Sequence, residues 1–551
     1  MERPVPNKPA VTRPSPPNVE PAHRAETPTL IRVGAPLFAL LVLLLTFYNT
    51  LPYAAYDAAK LSKLFCAKAV AVGGAYLLAG RVLRFVHRAA QNGLDEESGN
   101  FLAFFVICAA WFGFWLLGLW PGFYMTDSYG TLWSMYSLSF DNWFSALHPL
   151  LYLALYQIVP NAVVVPIFQL LLTSLVFAYA LAGLRRLGLS RFLTILLLLA
   201  LLVNVPVIAL TLLVTRDTVF SVVLLFFALW IFFRIVERER AFSGRELCFC
   251  AALIVFLAIY RGDGIALLLA VPLLLRLNGR ISTPRAGMLF LGALLMLQIV
   301  KPALIKALAI PDDQKIAYSV SLMMNPLGYL LQNNYVTATP EQDRKVLGML
   351  VDVDKVKEVS IPYEIPAFWS GYWKPVPEAA FSRVRALYGR MIMDNKALFL
   401  ANRLICFSAS TGMRPYGFTY CDMARDTKHA PHFDAVYNEP LHRTLFPALY
   451  QRQAGFIASA STFTGLHPEG KFLHWNFLPE LALALLALAL FPWFPATAST
   501  ALVVLSRVPL VFLAAPAGQF KYYYSLYLFG FFVIFLLIAE RKGAWARKGR
   551  Q

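Results

Sequence analysis

A chain of 551 residues that is 58% hydrophobic and only 15% charged, with a mean hydropathy of +0.59, falls outside the soluble globular range of about 45–50% apolar and roughly a quarter charged. This composition specifies an all-α polytopic membrane protein, in which length does not count domains. The net charge of +18 does not imply nucleic acid, because such a chain carries its Lys/Arg excess in cytoplasmic loops.

In chain order, residues 1–29 are rich in Pro and polar residues and have no apolar core of their own, which reads as a disordered cytoplasmic tail and not a cleaved signal peptide. Apolar runs of about 20 residues then predict spans at 30–47, 64–83, 101–119, 163–184, 192–213, 219–235, 247–259, 265–275 and 288–308. The run 150–159, closed by Pro160, is too short to cross and reads as a re-entrant or interfacial helix. From 311 to 474 the chain is mixed, charged and aromatic, long enough to fold as an extracytoplasmic, mostly helical domain between helices 9 and 10. Three more spans follow at 477–491, 497–515 and 523–538, then a basic tail over 541–551. Basic clusters such as Arg185-Arg186, Arg234 to Arg245 and Arg276 to Arg285 orient the whole with both termini inside. The expected organisation is therefore about twelve spans: an N-terminal module over 30–310 with an external loop at 120–160, the domain at 311–474, and C-terminal helices over 475–540. Six cysteines in no metal-like spacing argue against a zinc site, while Cys406 and Cys421 both fall in the external domain, where an oxidising compartment allows a disulfide.

This orientation gathers the uncommon residues on one face. The external loop carries Asp127 and Ser128, the aromatics Trp133, Tyr136, Phe140, Trp143 and Phe144, then Asp141 and His148-Pro149. Arg216-Asp217, Arg261 with Asp263, and Lys521 with Tyr522 emerge at the same face. Each also fits an ordinary role: a solvated interfacial aspartate, a helix cap, a snorkelling arginine, an aromatic belt. Together they offer carboxylates for base or metal chemistry and cations for a phosphate. Arg507 differs, because it lies within an apolar span, where a charge costs on the order of 2.5–3.5 kcal/mol. Such a charge requires an anion; Glu480 is one of few carboxylates in the spans, and a lipid phosphate is the other candidate. Pro509 removes a backbone donor beside it and should loosen that helix.

The order Trp120-Pro121-Gly122, Asp127-Ser128, His148-Pro149-Leu150, Arg216-Asp217, Arg261 to Gly264 and Phe520 to Tyr524 resembles the GT-C superfamily, integral-membrane glycosyltransferases that use polyprenyl-phosphate-linked sugars. The resemblance runs from about Phe101 to the C-terminus and is nearest to bacterial members. It implies Asp127 and Asp217, the first and second acidic positions, as the catalytic carboxylates, and a multi-pass protein of the bacterial inner membrane with an extracytoplasmic site. Arg216 stands where a lysine is usual, Asp263 where an asparagine is usual, and two spans precede the loop-bearing one. The implied reaction is an inverting hexosyl or pentosyl transfer to a cell-envelope glycan or glycolipid, with Asp127 as general base. Arg216, Arg261, Asp263, His148, Arg507, Lys521 and Tyr522 would bind substrate, the cations facing the phosphate leaving group. The cofactor is left open, a divalent cation being compatible with these residues. Trp369, Tyr372 and Trp373 offer faces for sugar rings or for domain packing. Other readings stand: a lipid-linked sugar flippase or transporter, a non-catalytic envelope assembly or scaffold protein, and, within the enzyme class, a polysaccharide ligase or polymerase using His429, His432 and His442 with Arg414, Arg425 and Arg443.

Overall fold

The computed structural model of the protein describes residues 29–48, 57–140, 145–237, 241–310, 314–414, 444–461 and 469–548. The N-terminal tail over 1–28, Asp141, Trp143, Phe144, Cys421, Arg425, His429, His432, His442 and Arg443 lie outside the described residues. Among the described residues the elements are helices, and the only two β-bridges, Phe123 with Leu213 and Val351 with Trp373, are isolated.

The first half comprises α1 (Thr29–Tyr48), α2 (Ala58–Asn92), α3 (Glu96–Gly118), α4 (Thr126–Ser137), α5 (Leu147–Ile158), α6 (Val164–Arg186), α7 (Arg191–Leu202), α8 (Val205–Leu212), α9 (Arg216–Glu237), α10 (Gly244–Tyr260), α11 (Leu267–Leu277) and α12 (Thr283–Ala307). Then come α13 (Gln314–Gln332), α14 (Pro340–Leu347), α15 (Val353–Val359), α16 (Pro366–Trp369), α17 (Glu378–Asp394) and α18 (Lys396–Ser410). The chain finishes with α19 (Pro447–Ser459), α20 (Glu469–His474), α21 (Leu478–Ala489), α22 (Pro495–Leu505), α23 (Val508–Ala514) and α24 (Tyr524–Lys548).

Among the described residues, eight helices are long and apolar enough to cross a membrane, and α7 with α8, bent by 59° at their junction, would make a ninth. This is the architecture of a multi-pass membrane protein. Nine of the twelve expected runs are thus long and apolar enough. The remaining three fall in α1, whose apolar stretch Ile31–Thr46 is short, and in α10 and α11, of 17 and 11 residues. Eleven residues rise only about 16 Å, half the hydrocarbon thickness. The short run after the external loop forms α5, a 12-residue helix packed into the bundle, as its length requires.

α9 is the centre. It is apolar on every side, and 83% of its apolar window is buried, as expected of a helix enclosed by others. Only 17% of the corresponding windows of α2 and α12 is buried, and α12 exposes Leu291, Leu295 and Ile299 in an i, i+4 stripe suited to lipid. α3 and α6 pack side by side, and their charged ends meet. Asp95 caps α3, and Glu96 and Glu97 in its first turn pair with Arg185 and Arg186 in the last turn of α6.

The expected 311–474 unit divides in two. Helices α13 to α18 enclose their own core around Val320, Leu327, Leu330, Val356, Val384 and Leu387. α19 packs instead on the membrane bundle: Gln453 Nε2 donates to the Phe114 carbonyl at 3.2 Å, and Phe456 lies against Trp115. Trp475 and Phe477 belong to the bundle core too. The α13–α18 unit docks where α23 ends: Gly518 N–H donates to Tyr363 O at 2.8 Å, and the fully buried Arg403 donates to Ala515 O at 2.7 Å.

Candidate active site

The segment before α4 is laced to the segment before α9, which sets the position of Asp127. Phe123 N–H donates to Leu212 O at 3.0 Å and Val214 N–H to Phe123 O at 2.9 Å. Ser128 Oγ receives the Met125 N–H at 2.9 Å and donates to Val214 O at 2.5 Å. Gly122 permits this approach, because its φ is +115° and a Cβ there would lie 3.0 Å from Leu212 O. Asp127 therefore opens α4 beside Arg216 and Asp217 at the start of α9.

Around this point three carboxylates and three cations alternate. Asp127 Oδ2 lies 2.6 Å from Lys521 Nζ, which lies 3.9 Å from Asp217 Oδ2. Asp217 pairs with Arg261, and Arg261 Nε donates to Asp263 Oδ1 at 2.8 Å. Asp263 Oδ2 in turn accepts from Arg507 Nε at 2.7 Å, and Arg507 Nη1 donates to Ser525 Oγ at 2.8 Å. The ladder draws on five places distant in sequence: the first turns of α4 and α9, the α10–α11 junction with its 3-10 turn Gly262–Ala266, the α22–α23 junction, and the 3-10 turn Phe520–Tyr523 before α24. Burying ions singly would cost several kcal/mol each, so alternation of sign is what makes the cluster tolerable. Phe220 and Tyr522 line it, with the Arg507 guanidinium 4.9 Å from the Phe220 ring centre and that of Arg261 5.1 Å from Tyr522.

Asp127 is the open end. Its side chain is 33% exposed, against 1% for Lys521, 2% for Asp217 and 3% for Arg507. Burial works to raise its carboxyl pKa, but the Lys521 ammonium and the guanidiniums of Arg216 and Arg261 outweigh burial and hold it below the usual carboxylate range. At Asp263 burial is likewise overcome, by Arg261 and Arg507, leaving the pKa at about 2. Both are anions at neutral pH. With half-buried Arg216 included, four cations face three carboxylates among the described residues of the cluster, an excess of one positive charge there.

His148 is not a rung. Its Nδ1 lies 2.8 Å from the Tyr260 hydroxyl and its ring packs on Tyr152, while Ser145 Oγ donates to Ile259 O at 2.7 Å. The start of α5 thereby clamps the end of α10 one residue before Arg261. The expectation for Arg507 also changes. Its partner is a protein carboxylate, Asp263, brought in by the α10–α11 turn, and not Glu480, which packs against Gly530. The helix carrying Arg507 breaks at Ser506 with Pro509 in the first turn of α23, as the proline implied. Tyr372 and Trp373 pack on the α13–α18 core, whereas Trp369 is 61% exposed. Arg414 is exposed, with its Nε 3.3 Å from Ser408 Oγ.

Comparison with family models, with curated proteins and with solved structures finds no match for this chain. The geometry thus stands by itself. Sequence reasoning missed Thr215 and Ser525, whose hydroxyls complete the pairing of Asp217 and Arg507, and Phe220, the face under Arg507. A hydroxyl or phenylalanine inside an apolar run carries no signal until its neighbour is known. Among the described residues no group of three or more His, Cys, Asp or Glu side chains is near enough together to hold a metal. The three carboxylates face cations instead of one another.

Proposed function

We propose that the ladder is the catalytic centre of a GT-C-type glycosyltransferase of the bacterial inner membrane. It moves a sugar from a polyprenyl-phosphate donor to an envelope glycan or glycolipid on the extracytoplasmic face. In this reading the chain has twelve spans, both termini are cytoplasmic, and α10, α11 and α1 complete the count where the lipid is locally thinned. The observation that carries the proposal is the meeting of Asp127, Asp217, Asp263, Arg216, Arg261, Arg507 and Lys521, from five distant segments, in one cluster whose exposed end is an ionised carboxylate.

The acceptor hydroxyl would lose its proton to Asp127 as its oxygen bonds to the anomeric carbon. The bond from that carbon to the phosphate oxygen breaks with its electron pair, releasing polyprenyl phosphate. The charge developing there meets the cation excess beside Asp127, from Arg216 and Lys521, with Arg261 and Arg507 behind them. Tyr522 stands over Arg261 and would contact the donor. Asp217 and Asp263 act by fixing these cations.

The test is mass spectrometry of envelope glycans from a strain lacking the protein, which should miss one sugar. Wild-type protein should restore it, and Asp127→Asn, inserted at normal levels, should not, since losing a base costs typically 10²–10⁴-fold in rate. Full restoration by Asp127→Asn would reduce the ladder to a structural ion network.

A further inference from the structure

The ladder occupies one end of the α10–α11 pair; the other end, a 17-residue helix away or roughly 25 Å, holds a second concentration of cations. There the turn from α11 to α12 and Ala241 enclose an open cavity of about 700 Å³. Arg276, Arg280 and Arg285 line it together with Ser282, Thr283 and Pro284, and Glu246, paired with Arg234, lies behind Ala241.

Three observations make this more than a basic loop. First, two of the arginines are held in place, while Arg285 is exposed at the rim. Arg276 Nε donates to Thr283 Oγ1 at 2.8 Å, which fixes the plane of its fork, and Arg280 Nη2 donates to Ile235 O at 2.9 Å. Second, the backbone is fixed from the far side, with Phe242 N–H donating to Arg280 O at 3.1 Å and Gly279 taking a φ of +64° to turn the chain. Third, α12 begins here with Pro284 in its first turn and no side-chain cap bond from its N-cap Ser282, which leaves the positive end of the helix dipole at the cavity. A 25-residue helix end, three guanidiniums and a headgroup-sized space converge, between helices, at the level where a span emerges from lipid.

We infer that this cavity binds a phosphate-bearing anion, supplied by the headgroup of an acidic phospholipid in the leaflet on the far side from the ladder. Planar guanidiniums take phosphate oxygens in pairs, which a lysine cannot copy. The site is independent of the proposed chemistry: none of its residues touches the ladder.

The test uses the purified full chain in zwitterionic detergent, titrated with short-chain phosphatidylglycerol and, separately, with sodium phosphate, reading the thermal midpoint. Wild type should be stabilised by phosphatidylglycerol. The triple variant Arg276→Gln, Arg280→Gln, Arg285→Gln should need at least about tenfold more lipid for the same shift. The matching triple Lys variant keeps the loop charge that orients the helices, and it should also need several-fold more. Arg84→Gln with Arg88→Gln, which removes exposed charge at the end of α2, should respond like wild type. If sodium phosphate gives the shift with the same arginine dependence, the anion is soluble phosphate at the same site. If neither anion shifts the midpoint, if the Gln triple variant responds like wild type, or if the α2 variant loses the response as the Gln triple variant does, no site exists there.

Discussion

Asp263 bridges two guanidiniums, and a double-mutant cycle on Asp263 and Arg507 tests whether the ladder is one coupled unit. The Arg507 side chain is 3% exposed and that of Asp263 13%, so water screens neither. Asp263→Asn keeps the shape but leaves Arg261 and Arg507 facing a neutral amide. Arg261 still has Asp217, whereas Arg507 retains only Ser525 among its described polar partners. Breaking a buried pair by removing one partner costs about 3–5 kcal/mol, and Arg507 bears most of it here. Arg507→Met should cost less, about 1.5–3 kcal/mol for lost charged hydrogen bonds, because Asp263 keeps Arg261. In the double variant no orphaned guanidinium remains at Arg507, so the two losses should overlap by about 2 kcal/mol. Unfolding in mixed micelles with increasing SDS gives the four free energies. Losses that add to within about 0.5 kcal/mol would refute the coupling, and with it the claim that Asp263 is what makes Arg507 tolerable.

The depressed carboxyl pKa values of Asp127 and Asp263 mean that their stabilisation is fully present above the unfolded value near 3.9 and is lost only as pH falls through the folded values. The contribution of these two carboxylates to stability should therefore be flat from pH 8 to 5, and the acid limb of the proposed sugar transfer should fall below about pH 4; an acid limb near pH 6 would point to a base other than Asp127. Tyr260→Phe, which removes the hydroxyl facing His148, should lower transfer through a displaced Arg261 while His148→Gln behaves alike, and a His148 variant altering rate with Tyr260→Phe silent would make His148 a substrate contact. Gly264→Ala would put a Cβ 2.6 Å from Leu257 O and should cost about 1–3 kcal/mol or the folded yield, read as the monodisperse fraction after heating. Cysteines at exposed Trp133 and Glu378 should react with an impermeant thiol reagent from outside and one at Arg285 should not, after Cys406 and Cys421 are replaced; the reverse pattern inverts the topology.

What could be read from the chain was whatever needed one residue type at one place. Apolar runs located α3, α6, α9 and α12, and Pro509 marked the break at Arg507. Arg507 stood out because it interrupted an apolar stretch, and the other charged members of the ladder because they fell together at the ends of spans on one face. Their pairing was not legible, because which cation meets which carboxylate depends on the lateral order of helices, and no local pattern encodes it. Asp263 looked like an isolated departure from a motif, yet it is the counter-ion that Arg507 lacked. The contact of α19 with the membrane bundle was not legible for a related reason: α19 is only moderately apolar, and its docking on α3 through Gln453 and Phe456 is a matter of shape.

The ladder also has a history in synthesis. Asp127 and Asp217 enter the membrane region early, Arg261 and Asp263 next, but Arg507 arrives only after the α13–α18 unit has been made, and Lys521 later still. Until the segment before α24 is threaded in, Asp127 lacks its ammonium and Asp217 has Arg261 alone. A chain that stops before residue 520 therefore lacks the cation nearest Asp127 and leaves that carboxylate with the guanidiniums of Arg216 and Arg261 alone. Such a fragment should be more open at the ladder than the finished chain, whose last span carries in the lysine that closes it.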